Sequence, residues 1–207
     1  MKEKLNLSIM ERLKGFNKII LLTLCVNIIG TTGGFMTYTY IAPIITGITN
    51  IENISVLLML FGIGALFGNL VGGYFTDKIG EPQTLMLSLG SFAVLLAAFS
   101  LLSLLNPSTF AIVMVSIVAI LWGIPGFGMN PALNSFLISL NPKQTQMVLS
   151  FSASALYMGI GLGAFVGGGV ISISSVDYVG LISGILVGIT LILFVVVQQF
   201  FVKKQQV

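Results

Sequence analysis

Long apolar stretches separated by short polar or proline-containing breaks dominate the chain. Six of these stretches reach about 20 residues or more, the length that an α-helix rising about 1.5 Å per residue needs to cross a bilayer. They occupy residues 19–46, 54–76, 84–105, 109–129, 147–173 and 178–202. The pattern predicts an all-α membrane protein in which residues 18–202 form a six-span transmembrane bundle.

Composition supports this class of protein and argues against several others. The 207 residues are 56% hydrophobic and 7% charged, whereas about 25% of the residues in a soluble domain are charged. The connections are too short to hold a soluble catalytic domain. The single cysteine, Cys25, excludes an intramolecular disulfide. Because histidine and a cysteine pair are both absent from the sequence, we expect neither a metal site nor a cofactor.

The basic residues predict the orientation of the spans, because cytoplasmic loops are enriched in lysine and arginine. All nine lie before the first span, after the second, after the fourth or after the sixth. With alternating spans these places share one side of the membrane. We therefore predict that both ends are cytoplasmic, with 1–17 as an N-terminal segment and 203–207 as a tail.

The net charge of +3 then reflects topology, so no nucleic-acid partner is expected. Within the N-terminal segment, Ile9, Met10, Leu13 and Phe16 would share one helical face. The segment is therefore either a short helix at the membrane interface or a solvated tail.

Glycines recur every fourth residue in two of the spans, which places them on one face of each helix. Because small residues let helices in lipid approach closely, these faces are predicted to pack against neighbouring helices. A functional interpretation, in which the faces slide during transport, is secondary. The two sets are Gly64, Gly68 and Gly72 in the second span, and Gly159, Gly163 and Gly167 in the fifth.

The fourth span contains two prolines, Pro125 and Pro131, close to Trp122. Each proline lacks a backbone donor and crowds the preceding turn, so we expect this span to be kinked or locally unwound. Broken helices in transporters often mark the substrate path. A kink that serves only packing is an equal alternative.

Uncharged polar residues within the spans predict a weakly polar interior. Asn130 and Asn134 lie four residues apart, and Asn27, Thr31 and Tyr38 follow one stripe of the first span. Each of these residues, taken alone, is explained by a hydrogen bond between helices. Because acidic and basic residues are absent from the central part of every span, the chain has no evident proton carrier of its own.

The loop between the second and third spans carries a recognisable pattern. It contains Gly73, Asp77, Lys78 and Gly80, and this order resembles the cytoplasmic loop signature of the major facilitator superfamily. The signature normally continues with basic residues, whereas Glu81 follows here. That departure is similar to the copy between the family's eighth and ninth spans.

Two further stretches resemble the same half of that family. Residues 33–43 are similar to the seventh span of bacterial drug, sugar and nucleoside efflux proteins, and residues 159–169 are similar to the eleventh. The resemblance implies that the chain corresponds to spans seven to twelve. It would form one six-helix half of the bundle, built from two inverted three-helix repeats.

The resemblance also implies a site. The substrate cavity of the family lies between two halves, so this chain would supply one wall, mainly from its first and fourth spans. The loop residues Gly73, Asp77, Lys78 and Gly80 would act as a gating latch in which Asp77 pairs with a helix N-terminus or a basic group. The residues expected to face the cavity are Asn27, Thr31, Phe35, Tyr38, Trp122 and Asn130.

The function that follows is a secondary transporter half in the cell membrane that exports a drug, sugar or nucleoside by proton antiport. Its expected partners are the lipid bilayer, a small-molecule substrate, and an N-terminal six-helix half or a second copy. The alternative is a half-module that needs a partner and does not itself transport. An intramembrane enzyme would need histidine or two embedded aspartates, whereas Asp77 and Asp177 lie near opposite faces. A channel would need a filter or charge ring that the sequence does not resemble.

Overall fold

The computed structural model describes residues 18–205, with side chains for residues 18–200. Seven α-helices and two single 3₁₀ turns, at Pro142–Gln144 and Val176–Tyr178, make up this part of the chain, which contains no strand. The predicted segment 1–17 lies outside the described residues. The helices are α1 (Lys18–Thr39), α2 (Ile41–Thr49), α3 (Ser55–Ile79), α4 (Glu81–Leu102), α5 (Thr109–Leu140), α6 (Thr145–Ile173) and α7 (Val179–Gln205).

Six of these helices, all except α2, are long and apolar enough to cross a membrane. This confirms the predicted number of spans. Lys18 begins α1, Lys78 lies in the last turn of α3, and Lys143 lies between α5 and α6. If consecutive spans alternate in direction, these three lysines share one end of the bundle. The placement of that end in the cytoplasm stays a prediction.

The first predicted span, 19–46, is divided in the structure. α1 ends at Thr39, and the short helix α2 follows after Tyr40. Pro43 explains the break, because its ring crowds the carbonyl of the residue four positions earlier, which is Thr39. α2 ends at Thr49 and is capped by Asn50, which has a left-handed backbone (φ 56°) and donates its N–H to the carbonyl of Thr46.

The fourth span differs from the prediction in the opposite sense. α5 continues from Thr109 to Leu140, through both Pro125 and Pro131. Of the two expected outcomes, local unwinding is therefore wrong, while a kink at the prolines stays a prediction. The helix extends well beyond the predicted boundary at residue 129. Proline is tolerated inside this helix because α3 and α4 pack along it, and neighbouring helices stabilise such interrupted turns within a membrane.

The packing of the six long helices has a two-fold pattern. α1 packs against α6 and α7, α5 packs against α3 and α4, and α4 packs against α7. The pattern is unchanged when α1, α3 and α4 are exchanged with α5, α6 and α7. This is the packing expected of two three-helix repeats. If consecutive spans alternate in direction, the odd number of spans per repeat makes the second repeat inverted.

The two glycine faces lie in equivalent interfaces of this pattern. A Cβ atom added at Gly64 or Gly68 would overlap the α5 backbone at Ile120 or Ile124, and one at Gly72 would lie 2.6 Å from the Gly128 Cα. On α6, Gly159, Gly163 and Gly167 face α1 in the same manner. Glycine is therefore required at these positions by the close approach of two helices.

A further pair of glycines also packs closely, although the sequence pattern did not single it out. A Cβ atom at Gly180 or Gly184 of α7 would lie 2.6 Å from the carbonyl oxygen of Leu96 or Ala93 of α4. These contacts join the last helices of the two repeats.

Candidate functional site

An open cavity of about 230 Å³ lies mainly between α1 and α5, the first helices of the two repeats. Single residues of α3, α4 and α6 complete its wall. It is lined by Thr31, Gly34, Phe35, Tyr38, Phe61, Phe92, Trp122, Gly126, Phe127, Met129, Asn130 and Leu156.

Helical periodicity explains how α1 and α5 supply most of this lining. Thr31, Phe35 and Tyr38 follow the spacing i, i+4, i+7 on α1. On α5, Trp122, Gly126, Met129 and Asn130 follow the same rule with the further position i+8. Because residues at these spacings share one helical face, each helix turns one stripe towards the cavity.

Five of the six residues expected at the cavity line it, and Asn27 does not. Asn27 is 2% exposed and contacts α6 instead. Its Nδ2 donates to the backbone oxygen of Ser152 at 2.9 Å and to the Ser152 hydroxyl at 3.2 Å. The α1 stripe therefore passes from a helix interface at Asn27 to the cavity at Thr31.

The Asn27 contact belongs to a hydrogen-bonded network that joins three helices. Thr31 Oγ1 donates to Asn27 Oδ1 at 3.2 Å within α1. Ser152 Oγ of α6 donates to Asn134 Oδ1 of α5 at 2.8 Å. The network therefore ends at Thr31, which is also a cavity residue.

Aromatic rings form another part of the wall and centre on Trp122. Its ring lies 4.3 Å from Phe61, 5.4 Å from Phe99 and 6.2 Å from Tyr38, measured between centroids. Tyr38 in turn lies 5.3 Å from Phe61. These separations are typical of interacting aromatic pairs, so the rings hold one another in place.

Trp122 also carries a polar atom that the fold leaves unsatisfied. Its indole nitrogen is the buried side-chain N or O atom without a hydrogen-bond partner within the described part of the chain. A buried unsatisfied donor lowers stability by about 1–3 kcal/mol. Trp122 lines the cavity, although this atom itself is buried.

Three cavity phenylalanines were missed by sequence reasoning: Phe61, Phe92 and Phe127. Phe61 is three residues before Gly64, so it shares the glycine face of α3. That spacing could have indicated that Phe61 faces protein and not lipid. Phe92 is 4% exposed and also contacts Gly34 and Gly126. No local pattern distinguishes Phe92 or Phe127 from a lipid-facing phenylalanine.

The cavity is electrically neutral. None of the acidic or basic residues between 18 and 200 lines it. Its polar groups are the Thr31 hydroxyl, the Tyr38 hydroxyl and the Asn130 amide. The arrangement can hold an uncharged molecule by ring contacts and a few hydrogen bonds.

The loop residues lie at the end of α3, away from this cavity. Asp77 and Lys78 are exposed, and Lys78 Nζ lies 3.2 Å from the Tyr74 hydroxyl and 5.4 Å from the centroid of its ring. Gly80 has φ +92°, a conformation that favours glycine, and joins α3 to α4. Gly73 has open space at its Cβ position among the described residues. Asp77 makes no ion pair with any residue of the described range, so its predicted partner is not found there.

Comparison with known proteins matches the sequence profile of the Major Facilitator Superfamily to residues 16–205. One relative is the uncharacterized MFS-type transporter YbcL of Bacillus subtilis (strain 168). The aligned region is 31% identical and covers 76% of this chain and 40% of YbcL. The chain is 28% identical, over 84% of its length, to 44% of the inner membrane transport protein YdhP of Escherichia coli (strain K12).

A third relative carries a substrate in its name. It is the probable sugar efflux transporter of Helicobacter acinonychis (strain Sheeba). The aligned region is 27% identical and covers 77% of this chain and 39% of that protein. The chain thus spans about two fifths of the length of these relatives.

Proposed function

This chain belongs to the major facilitator superfamily, and we propose that it forms one wall of a secondary transporter that exports a small, uncharged organic solute. Transport would proceed by proton antiport through alternating access, with both chain ends in the cytoplasm. The chain is a multi-pass protein of the cell membrane, and the proposal concerns what it moves and with which partner.

The one-sided neutral cavity carries the proposal. Its wall comes from the first helix of each repeat, α1 and α5, and combines aromatic rings with the hydroxyl of Thr31 and the amide of Asn130. Ligand sites commonly pair apolar and aromatic walls with a few placed polar groups. The absence of charge from the lining, within residues 18–200, favours an uncharged solute.

The relatives support the direction of transport and the solute class. One of them is named a probable sugar efflux transporter, and this chain matches only part of it. A drug, a sugar or a nucleoside would fit the cavity chemistry. Because the chain matches about two fifths of its relatives, the opposite wall would come from an N-terminal six-helix half or from a second copy.

Polar side chains that are exposed in mid-helix support such a partner. Asn69 lies near the middle of α3 and is exposed, and Tyr157 lies near the middle of α6 and is 70% exposed. Asn69 Nδ2 donates to the Ala65 carbonyl of its own helix at 3.4 Å. Facing lipid, the rest of its amide and the Tyr157 phenol would have no solvent to bond with at this depth. These two helices are the second members of their repeats, so they would flank the cavity against the same partner.

Proton coupling would then depend on the partner half. The acidic residues in the described range are Glu52, Asp77, Glu81 and Asp177, and each lies at a helix end or in a connection. A proton carrier needs a titrating group at a protected site within the membrane. The partner would also supply the basic group or helix N-terminus with which Asp77 forms the predicted latch.

Flux measurements in proteoliposomes test the proposal. The chain would be reconstituted alone and together with a co-expressed six-span N-terminal half, and uptake of a labelled hexose, a nucleoside and a neutral aromatic drug would be followed under an imposed pH gradient. We expect flux of at least one solute that a protonophore abolishes. A Tyr38→Arg variant, which adds a charge to the cavity, should fold and lose that flux.

Absence of flux from both preparations would contradict the transporter and favour the alternative, a half-module that associates with a partner without transporting. Flux that is insensitive to the protonophore would contradict only the proton antiport and would leave the transporter proposal in place. Flux from the chain reconstituted by itself would identify a second copy as the opposite wall.

A further inference from the structure

The orientation of the Asn27 amide is fixed by a backbone carbonyl. The atom of Asn27 that lies 2.9 Å from the Ser152 backbone oxygen must be the nitrogen, because a carbonyl oxygen only accepts hydrogen bonds. The amide oxygen therefore points the other way, towards Thr31. Burial of Asn27, at 2% exposure, holds this arrangement in place.

The amide oxygen in turn fixes the Thr31 hydroxyl. Oδ1 of Asn27 has no hydrogen, so the 3.2 Å contact with Thr31 Oγ1 uses the only proton of that hydroxyl. Ser152 stays locked in the same sense, because its own proton goes to Asn134 Oδ1 at 2.8 Å. Each hydroxyl of the network thus donates to a defined acceptor: Thr31 donates to Asn27, and Ser152 donates to Asn134.

Packing distinguishes the methyl group of Thr31 from its hydroxyl group. The Thr31 methyl group lies against α6, where a Cβ added at Gly159 would approach it to 3.0 Å. The other heavy atom on the Thr31 Cβ is the hydroxyl oxygen, and the whole residue is 2% exposed. Thr31 lines the cavity, and with its proton already used it can only accept a further hydrogen bond there.

We propose that Asn27 is a positioning residue that makes Thr31 an acceptor-only contact, so that the cavity selects neutral ring compounds bearing a hydroxyl or N–H donor. The ring of the ligand lies against Tyr38, Phe61 and Trp122, and its donor is directed at Thr31 Oγ1. This inference rests on the proposed function, since it assumes that the cavity binds the solute. It adds the polarity of the contact and the residue that sets it.

The single tryptophan of the chain gives a direct readout, because Trp122 is the only tryptophan in the sequence and lies in the cavity wall. Quenching of its fluorescence would be titrated in lipid nanodiscs with 4-nitrobenzyl alcohol and with its methyl ether. Both probes are neutral and carry a quenching nitro group, but only the alcohol has a donor. We expect the alcohol to bind roughly fivefold tighter than the ether once partition into lipid is subtracted, the effect of one neutral hydrogen bond.

Comparing variants of Thr31 cancels the unequal partition of the two probes into lipid, because every protein is measured in the same lipid. Thr31→Val keeps the shape and removes the acceptor, so the preference for the alcohol should fall about fivefold. Thr31→Ser keeps the hydroxyl and should keep the preference. These variants leave the Asn27–Ser152 bonds in place, so they test the contact even if changes at Asn27 impair folding.

Asn27→Ala tests the positioning role. With the amide oxygen removed, the Thr31 hydroxyl can rotate and donate to the ligand, so the ether should gain affinity and the ratio between probes should approach one. A purely structural role of Asn27 would weaken both probes equally and leave their ratio unchanged. Ser154→Ala is the matched control, because Ser154 is exposed on α6 and bonds within its own helix to the Ser150 carbonyl.

Three outcomes would overturn the inference, and they fail at different steps. Quenching by neither probe removes the cavity as a site for neutral aromatic solutes, and with it the basis of the proposed function. Quenching with the same ratio in wild type and Thr31→Val leaves the cavity as a binding site and refutes the acceptor contact. A ratio unaffected by Asn27→Ala, with Thr31→Val effective, refutes the positioning role alone.

Discussion

The α3–α5 and α1–α6 interfaces occupy equivalent places in the two repeats, yet they are held together in different ways. In the α3–α5 interface glycines lie on both helices, so that backbone meets backbone: Gly64 faces Ile120, and Gly123 faces the carbonyl of Phe61. In the α1–α6 interface only α6 contributes glycines. Those of α1, such as Gly33 and Gly34, face α7 and α4 instead.

Hydrogen bonds from side chains to the backbone also hold the α1–α6 interface together. Asn27 donates to Ser152 near one end, and the Tyr40 hydroxyl donates to the Ala164 carbonyl at 3.0 Å near the other. Helices in lipid associate through close packing and hydrogen bonds because lipid is as apolar as the helix faces. The two interfaces show each of these forces in turn, and the hydrogen-bonded network of the polar one includes the cavity residue Thr31.

The largest effect is expected at the α3–α5 interface. Gly64→Leu would place a side chain where the Ile120 carbonyl already lies, so the helices must separate. The free energy of unfolding should fall by about 3 kcal/mol or more. Unfolding in mixed micelles of increasing SDS content would measure it.

The matched control is Gly62→Leu on the same helix, where the Cβ position has nothing within 4 Å among the described residues. Its unfolding midpoint should stay near that of wild type. Equal losses for the two leucine variants would show that α3 does not approach α5 as closely as described.

The glycines of α6 should respond less strongly. A Cβ at Gly163 would lie 2.8 Å from the Thr32 carbonyl oxygen and 2.9 Å from the Met36 nitrogen, contacts that a small helix shift relieves. We expect Gly163→Ala to lower the unfolding free energy by about 1–2 kcal/mol, and less than Gly64→Ala does. Gly161→Ala, which meets open space among the described residues, is the control, and the reverse ranking would remove the distinction between the interfaces.

Loss of one hydroxyl from the polar network should have a smaller effect. Ser152→Ala removes an acceptor of Asn27 Nδ2 and the donor to Asn134. The loss of unfolding free energy should be about 1 kcal/mol, since hydrogen bonds between membrane helices are individually modest. In the same unfolding assay Ser154→Ala should be neutral. A neutral Ser152→Ala would show that the network contributes nothing to the α1–α6 interface.

The smallest effect is expected at Tyr40. Tyr40→Phe deletes the bond to the Ala164 carbonyl and leaves the ring against Gly167, so we expect a loss of about 0.6 kcal/mol. Tyr157→Phe serves for comparison, because Tyr157 is 70% exposed and its hydroxyl has no partner among the described residues. If both substitutions are equally silent, the Tyr40 bond is not part of what holds α1 to α6.

Local features of the sequence were sufficient for the frame of the molecule. Six apolar stretches fixed the number of spans, because a bilayer sets the helix length, and the spacing of Gly64, Gly68 and Gly72 identified a face that packs closely. Prolines were harder to interpret. Pro43 ends α1, whereas Pro125 and Pro131 lie inside the continuous helix α5, and the difference arises from the helices packed around α5.

The cavity could be anticipated only in part. The stripe containing Thr31, Phe35 and Tyr38 is visible in the sequence because helical spacing places these residues on one face. Phe92 and Phe127 could not be assigned, since lipid and protein interior are both apolar and one phenylalanine resembles another in either place. Asn27 belongs to the same stripe as Thr31, yet it contacts α6.

The sequence by itself therefore determined the membrane class, the six spans and the glycine faces, because bilayer thickness and backbone sterics act on short segments. Tertiary structure decided which polar residues bind one another and which face the cavity. That choice depends on the angle and separation of α1, α5 and α6, since a one-turn step from Asn27 to Thr31 is enough to exchange a helix contact for a cavity contact.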